Sequence, residues 1–194
     1  MELSLAPAAY TLIAINCALS AYGLFVDRKF LYQFVFEVKA IRERHEWWRL
    51  VTCSFLHGSP FHLLVNMLSL YLLGPSVEYV LGTTGFLLVY FGSQLAAMGL
   101  SLAIKWNQLD YSALGASGAV SGVVLSFCTF APMQTLYVMG LVPVPAFAVA
   151  IVYIAYTSFV MRGESNIAHE AHLGGAVGGI LLTLMLMPGI PFLA

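Results

Sequence analysis

The chain alternates between long uncharged tracts and short charged ones. Five tracts contain no Asp, Glu, Lys or Arg: residues 3–26, 50–77, 79–104, 111–161 and 171–194. Each tract exceeds the ~20 residues that an α-helix needs to cross a bilayer, and the fourth is long enough to cross and return. The pattern therefore predicts six transmembrane helices, near 8–26, 61–80, 84–104, 116–131, 135–161 and 167–187.

Local signals indicate where several of these helices begin, end or bend. Ser59 precedes Pro60, the pattern of an N-cap followed by proline at the first helical position. Gly82, followed by two threonines, predicts a stop and a restart. Pro143 and Pro145 remove backbone donors, so they predict a kink or a break inside the fifth helix.

Composition places the chain among membrane proteins. Only 9% of its 194 residues are charged, whereas a soluble domain carries ~25%. The chain is therefore predicted to be an all-α polytopic membrane protein that forms a single domain over residues 1–194. A net charge of -1 without a basic run gives no reason to expect a nucleic-acid partner. The three cysteines lack CxxC spacing, so neither a disulfide framework nor a zinc site is indicated.

The first connection, residues 27–60, differs from the other predicted loops. It holds 10 of the 17 charged residues together with Trp47 and Trp48. Tryptophan and arginine favour the headgroup level of a bilayer, where both apolar and polar surfaces are satisfied. This segment is therefore predicted to be a folded structure at the membrane interface.

A polar stripe runs along the second predicted helix. His62 and Asn66 are four residues apart and Ser69 follows three later, so the three share one helical face. Polar side chains within spans usually face the bundle interior. Taken alone, this stripe is more typical of interhelical hydrogen bonding than of a functional site.

The fourth predicted helix opens with Gly115-Ala116-Ser117-Gly118. A serine in the first helical turn has unpaired backbone N–H groups beside it, and these can stabilise an oxyanion. Small residues on the same face let another helix approach closely. Ser117 is thus a candidate nucleophile, although a packing role would explain the same pattern.

The sixth predicted helix offers two histidines, His169 and His172, on one face. Gly175 and Gly179 share the face of His172 and permit close packing. With six spans, helices two, four and six run in one direction and carry their polar residues at a similar depth, so a histidine could reach Ser117 and act as its general base. Glu170 lies about 200° around the helix from His172 and points away, which predicts a Ser-His dyad.

The HEAH run at 169–172 also resembles a metal motif. A zinc-binding HExxH motif places its two histidines four residues apart, whereas these are three apart. No metal site is therefore predicted, and His169 remains the rival of His172 for the base.

Taken together, four ordered motifs resemble those of the rhomboid intramembrane serine proteases. They are Glu46-Trp47-Trp48-Arg49 in the first loop, His62 with Asn66, Gly115-Ala116-Ser117-Gly118, and His172 with Gly175 and Gly179. Glu78 and Gly82 also resemble the family's end of helix two, and His57 resembles a histidine near the mouth of its site. The resemblance covers nearly the whole chain and implies a six-transmembrane-helix rhomboid-like bundle with a structured first loop.

The resemblance implies a role for each residue of the site. Ser117 would be the nucleophile and His172 the general base. His62 and Asn66 would stabilise the oxyanion together with the backbone N–H of Ser117. The reaction implied is hydrolysis of a peptide bond in or near a transmembrane segment of another protein. The implied partners are such substrates and the lipid bilayer, without a cofactor or a metal.

One position departs from the family pattern. Some relatives carry an aromatic residue four positions after the serine, where its ring packs on the histidine, but this chain has Ser121. Orientation of His172 is then either looser or supplied by another ring.

Two other functions compete with proteolysis. One is a catalytically silent relative that binds transmembrane helices for quality control or trafficking, and the other is a transporter. Helix five, broken by its prolines, would be the mobile element that admits a substrate.

The distribution of cations bears on orientation. With six spans, all eight cations fall on one side of the membrane: Arg28, Lys29, Lys39, Arg42, Arg44, Arg49, Lys105 and Arg162. The positive-inside rule would place that side in the cytoplasm. The resemblance instead implies a multi-pass protein of a bacterial plasma membrane with the mouth of its active site outside the cytoplasm, and we follow the resemblance.

Overall fold

The computed structural model describes residues 6–138, 140–160 and 168–187. These residues form eight α-helices: α1 (Pro7–Phe25), α2 (Arg28–Phe34), α3 (Val38–Arg44), α4 (Arg49–Thr52), α5 (Pro60–Lys105), α6 (Ser117–Phe130), α7 (Ala146–Val160) and α8 (His169–Leu186). A 3-10 helix covers Cys53–Phe55, and the strands are β1 (Phe36–Glu37), β2 (Ser112–Ala113), β3 (Thr135–Val138) and β4 (Val142–Pro145). The cation Arg162 and the predicted helix ends at 161 and 167 lie outside the described residues.

Helix α5 contains the second and third predicted spans. Its 46 residues would extend roughly 70 Å if straight, about twice the hydrocarbon core of a bilayer. The helix breaks at Gly82, where φ is 70° and ψ is 166°, a conformation that glycine tolerates and other residues resist. The predicted stop at Gly82 is therefore confirmed, and the two halves are separate helical segments.

Length and hydropathy single out α1 and α5 among the described helices as able to cross a membrane. Helices α6 and α7 are apolar but shorter. The most extensive packing joins α5, α6 and α8, and α1 lies against α5. Buried side chains at the centre include Leu70, Phe86, Tyr90 and Val123.

The prediction of a helix from 135 that is kinked by its prolines is wrong. Strands β3 and β4 pair in antiparallel register, and Gly140, which precedes β4, has φ 74°. Pro143 and Pro145 lie in β4, which an edge strand tolerates because it need not donate every N–H. Helix α7 begins directly afterwards and continues to Val160, so the break that suggested a mobile element is absent.

The first loop is folded, as predicted. Arg49 is buried and donates hydrogen bonds to the Glu46 carboxylate and to the carbonyl oxygens of Tyr32 and Val35, at 3.3 and 2.7 Å. Its guanidinium carbon lies 4.7 Å from the centre of the Trp48 ring. Arg49 thus pairs with Glu46, stacks on Trp48 and caps the end of α2. These three residues of the first motif hold the loop together.

A short sheet ties this loop to the segment that precedes α6. Strand β1 pairs with β2, and Phe36 lies opposite Ala113. The backbone N–H of Val38 donates to the carbonyl of Tyr111 at 3.2 Å. The position of the segment before Ser117 therefore depends on the folding of the first loop.

Glu78 stabilises the start of α1 from the far end of the first half of α5. Its carboxylate accepts hydrogen bonds from the backbone N–H groups of Ala8 and Ala9, at 3.1 and 2.8 Å, and from the Thr83 hydroxyl at 2.8 Å. Ala6, the N-cap residue, supplies no side-chain bond. A carboxylate at a helix N-terminus satisfies unpaired donors and interacts favourably with the helix dipole.

We expect Glu78→Ala to lower the free energy of unfolding by about 1–3 kcal/mol, because it leaves buried donors without an acceptor. Unfolding in detergent micelles, followed by circular dichroism, measures the change. The matched control is Tyr79→Ala, whose side chain is 76% exposed and should change stability by less than about 0.5 kcal/mol. Equal losses in the two variants would contradict the capping role.

Candidate active site

Helices α6 and α8 meet through their glycines. A Cβ atom added to Gly175 would lie 2.0 Å from the carbonyl oxygen of Gly118, and one added to Gly179 would lie 2.2 Å from that of Gly122. No side chain fits at such distances, so the two backbones are in contact. The small-residue faces predicted from the sequence are therefore confirmed as packing surfaces.

This contact places Ser117 and His172 on the same cavity. The cavity has a volume of about 1490 Å³, and His62, Asn66 and Ser69 also line it. Ser117, His62 and His172 are each half-buried. Among the hydrogen bonds of the described residues, none joins the Ser117 hydroxyl to His172, an arrangement common where a catalytic hydrogen bond forms only with substrate bound.

Gly115 shapes the entrance to α6. Its φ is 128°, and a Cβ atom there would lie 2.5 Å from Cε1 and 2.8 Å from Nε2 of His62. Glycine is required at this position for two reasons: the positive φ is unfavourable for other residues, and a Cβ atom would clash with the imidazole ring. The His62 ring is thus held against the loop that leads into Ser117.

The same loop is anchored from the first loop. The N–H of Gly115 donates to the carbonyl of Cys53 at 3.0 Å, and the N–H of Ala116 donates to Nε2 of His57 at 3.3 Å. Because Nε2 accepts, the proton of a neutral His57 ring lies on Nδ1, 2.9 Å from the Ser20 hydroxyl. The Ser20 hydroxyl accepts this proton and donates its own to the carbonyl of Phe55 at 3.1 Å.

Asn66 is buried and retains hydrogen-bonding capacity. Its side-chain nitrogen donates to the carbonyl of His62 at 2.9 Å. An amide nitrogen carries two hydrogens, and this bond uses one of them. Ser69 similarly donates to its own helix, at the carbonyl of Val65.

The two histidines of α8 have different neighbours. His169 is buried, and its ring packs edge-on against Tyr156 at 6.0 Å and against His172 at 6.1 Å. Glu170 accepts a hydrogen bond from the Tyr111 hydroxyl at 2.6 Å. This bond ties Glu170 to the loop before α6, and Glu170 also lines the cavity.

The structure adds a residue that the sequence analysis did not identify, Tyr153. Its ring stacks on His172 with the centroids 6.4 Å apart and the planes 25° apart, and its hydroxyl is hydrogen-bonded to Ser121. Position 121 is a serine and supplies no ring, and the ring that lies on His172 comes from Tyr153 instead. Tyr153 lies on α7, and no spacing pattern links it to either the serine or the histidine.

Comparison with known proteins gives consistent matches. The family model for the Rhomboid domain matches residues 44–189. The chain is similar to the putative rhomboid protease YdcA of Bacillus subtilis, with 37% identity over 140 residues that cover 72% of this chain and 67% of the relative. RHOMBOID-like protein 1 of Arabidopsis thaliana is 31% identical over 75% of this chain, and the rhomboid protease GluP of Bacillus subtilis is 30% identical over the same share. The matched regions span only 36% and 27% of those two relatives.

The buried His57 predicts a specific pH dependence of stability. Burial lowers the pKa of His57 to about 3, with a smaller contribution from the nearby His62. The unfolded chain, with an ordinary histidine pKa near 6.5, binds this proton more readily than the folded one. The contribution of neutral His57 to stability is therefore complete above pH ~6.5 and falls as the pH drops toward 3.

Thermal unfolding of the wild type and His57→Gln at several pH values between 8 and 4 tests this dependence. We expect the wild type to be the more stable at pH 8 and its advantage to shrink steadily toward pH 4. The carboxylates titrate in both proteins, so their contributions cancel in the difference between the two unfolding temperatures. A difference in unfolding temperature that stays constant with pH would contradict the neutral His57 anchor.

Proposed function

The chain belongs to the rhomboid family, and from that premise we propose that it is an intramembrane serine endopeptidase acting through a Ser117-His172 dyad. The observation that carries the proposal is the glycine contact between α6 and α8. It brings the first turns of both helices to one cavity, where Ser117 and His172 meet two further polar residues, His62 and Asn66.

In the proposed reaction His172 accepts the proton of the Ser117 hydroxyl as the oxygen attacks the substrate carbonyl. The tetrahedral intermediate carries a negative oxygen, and the backbone N–H of Ser117, the Asn66 amide and the His62 ring are its proposed donors. His172 then protonates the leaving amine, and the acyl-enzyme remains on Ser117. Water, deprotonated by His172, hydrolyses the ester and restores both residues.

The proposed substrate is a peptide bond in or near a transmembrane segment of another membrane protein. Support comes from the position of the dyad, because Ser117 begins an apolar helix and lines a cavity within the helical bundle. No cofactor or metal enters the proposed reaction.

We further propose six membrane spans, formed by α1, the two halves of α5, α6, α7 and α8. Helix α1 and the 46-residue α5 have the length and hydropathy that spanning requires. The proposed location is the plasma membrane of a bacterium, with the first loop and the mouth of the cavity outside the cytoplasm. An even number of spans then places both ends of the chain inside.

Cleavage of single-span substrates by the purified protein in detergent tests the dyad. We expect Ser117→Ala and His172→Ala to abolish both cleavage and labelling by a serine-directed fluorophosphonate. His169→Ala is the matched control on the same helix and should retain activity; the reverse result for the two histidines would reassign the base. Cleavage that survives Ser117→Ala would refute the proposed nucleophile.

The same assay examines the oxyanion donors. Asn66→Ala should lower kcat by about 10²–10³ if its amide contributes one donor. An unchanged kcat would remove Asn66 from the oxyanion site while leaving the dyad intact. A folded protein that binds transmembrane helices but cleaves no substrate would favour the catalytically silent alternative.

A reporter fused to the carboxyl terminus tests the proposed orientation. We expect a cytoplasmic reporter enzyme to be active and a periplasmic one to be silent. The opposite pattern would place the cation-rich first loop in the cytoplasm, as its charge favours.

A further inference from the structure

His172 has no carboxylate partner among the described residues. No hydrogen bond joins its side chain to another residue in the described part of the chain, and the neighbouring Glu170 is bonded to Tyr111. An imidazole without such a partner rotates readily about its χ2 torsion, for which the energy wells are broad. A general base must nevertheless present one nitrogen to the nucleophile, so some other contact must limit its rotation.

His169 meets the His172 ring edge-on from the same helix, and the contact parallel to the ring plane comes from Tyr153. Its ring lies nearly parallel to His172, and its hydroxyl is bonded to Ser121. Ser121 in turn donates to the carbonyl of Ser117 at 2.6 Å. A serine hydroxyl has a single proton, so the proton of the Ser121–Tyr153 bond must come from tyrosine. Tyr153 therefore donates to Ser121, and one chain of contacts joins the backbone of Ser117 to the ring of His172.

We propose that Tyr153, held by Ser121, is a positioning residue that fixes the plane of the His172 ring. The inference rests on the proposed function and names the residue that replaces an aromatic side chain at position 121. Tyr153 touches the base without being required to contact the substrate. Its ring limits rotation of the imidazole, and its hydroxyl bond limits its own movement.

Tyr153 belongs to a different helix from either residue of the proposed dyad. Ser117 and His172 lie on helices whose backbones are in contact, whereas Tyr153 lies on α7, at the edge of the bundle. Ile151 and Val152, its neighbours on that helix, have 63% and 66% exposed side chains. The orientation of the base therefore depends on α7 being packed against α6 and α8, while its position does not.

Steady-state cleavage of a transmembrane substrate by three variants tests the proposal. Tyr153→Leu removes the ring, and we expect kcat to fall about 10- to 100-fold with KM changed by less than about threefold. Tyr153→Phe retains the ring and should recover most of this loss, remaining within about two- to tenfold of the wild type. Ser121→Ala leaves the tyrosine hydroxyl without its acceptor and should lower kcat at least as much as Tyr153→Phe.

A double-mutant cycle separates positioning from general packing. The Ser121→Ala, Tyr153→Phe double variant should be no slower than Ser121→Ala alone, because both changes remove the same bond. Phe147→Leu is the matched control, since it removes a ring from the same helix at a position that does not line the cavity. Its kcat should stay within about twofold of the wild type. Thermal unfolding temperatures of all variants identify any loss of fold.

Three outcomes would overturn the inference: Tyr153→Leu with an unchanged kcat, equal losses in Tyr153→Leu and Tyr153→Phe, or a loss confined to KM. Each requires a wild type that cleaves substrate and a Ser117→Ala variant that does not. If the folded wild type neither cleaves nor reacts with a fluorophosphonate, the proposed function itself fails. The two failures are thus distinguished within one set of measurements.

Discussion

The backbone contact between α6 and α8 is the constraint on which the rest of the site depends. In a bilayer the hydrophobic effect does not drive helices together, because lipid tails are as apolar as leucine side chains. Close packing is then decided by shape, and Gly118 and Gly122 lie against Gly175 and Gly179 at distances that leave no room for a methyl group. A side chain at Gly175 or Gly179 would meet the backbone of α6, separate the two helices and move the candidate dyad apart, whereas one at Gly118 or Gly122 would first meet Ala97 or Ser93 of α5.

The first loop provides the second support, from outside the glycine contact. Arg49 donates hydrogen bonds to carbonyls at the end of α2, and strand β1 pairs with β2. Cys53 and His57 accept hydrogen bonds from the two backbone N–H groups just before Ser117. Each bond satisfies a backbone or buried polar group that would otherwise lack a hydrogen-bond partner, which costs free energy. The folded loop and the start of α6 therefore hold each other in place.

The sequence predicted most of the bundle because charges are excluded from hydrocarbon and polar residues inside spans are few. Ser117, His172, His62 and Asn66 were visible for that reason, and the structure brings them to one cavity. Two errors have physical causes. Pro143 and Pro145 are compatible with a kinked helix or an edge strand, and only strand pairing decides between them. Tyr153 left no signal because its contacts join residues far apart in the chain.

Placing two residues and orienting them are different problems, and this fold solves them with different helices. Glycine contacts fix how far apart α6 and α8 lie, but they act on backbones and leave the χ2 angle of His172 free. A ring from α7 acts on that angle. The same division applies to Ser117, whose helix start is fixed by Gly115 and the first loop. A transmembrane helix that entered beside α7 would therefore disturb the orientation of the proposed base, His172, before it disturbed the position of either residue of the candidate dyad.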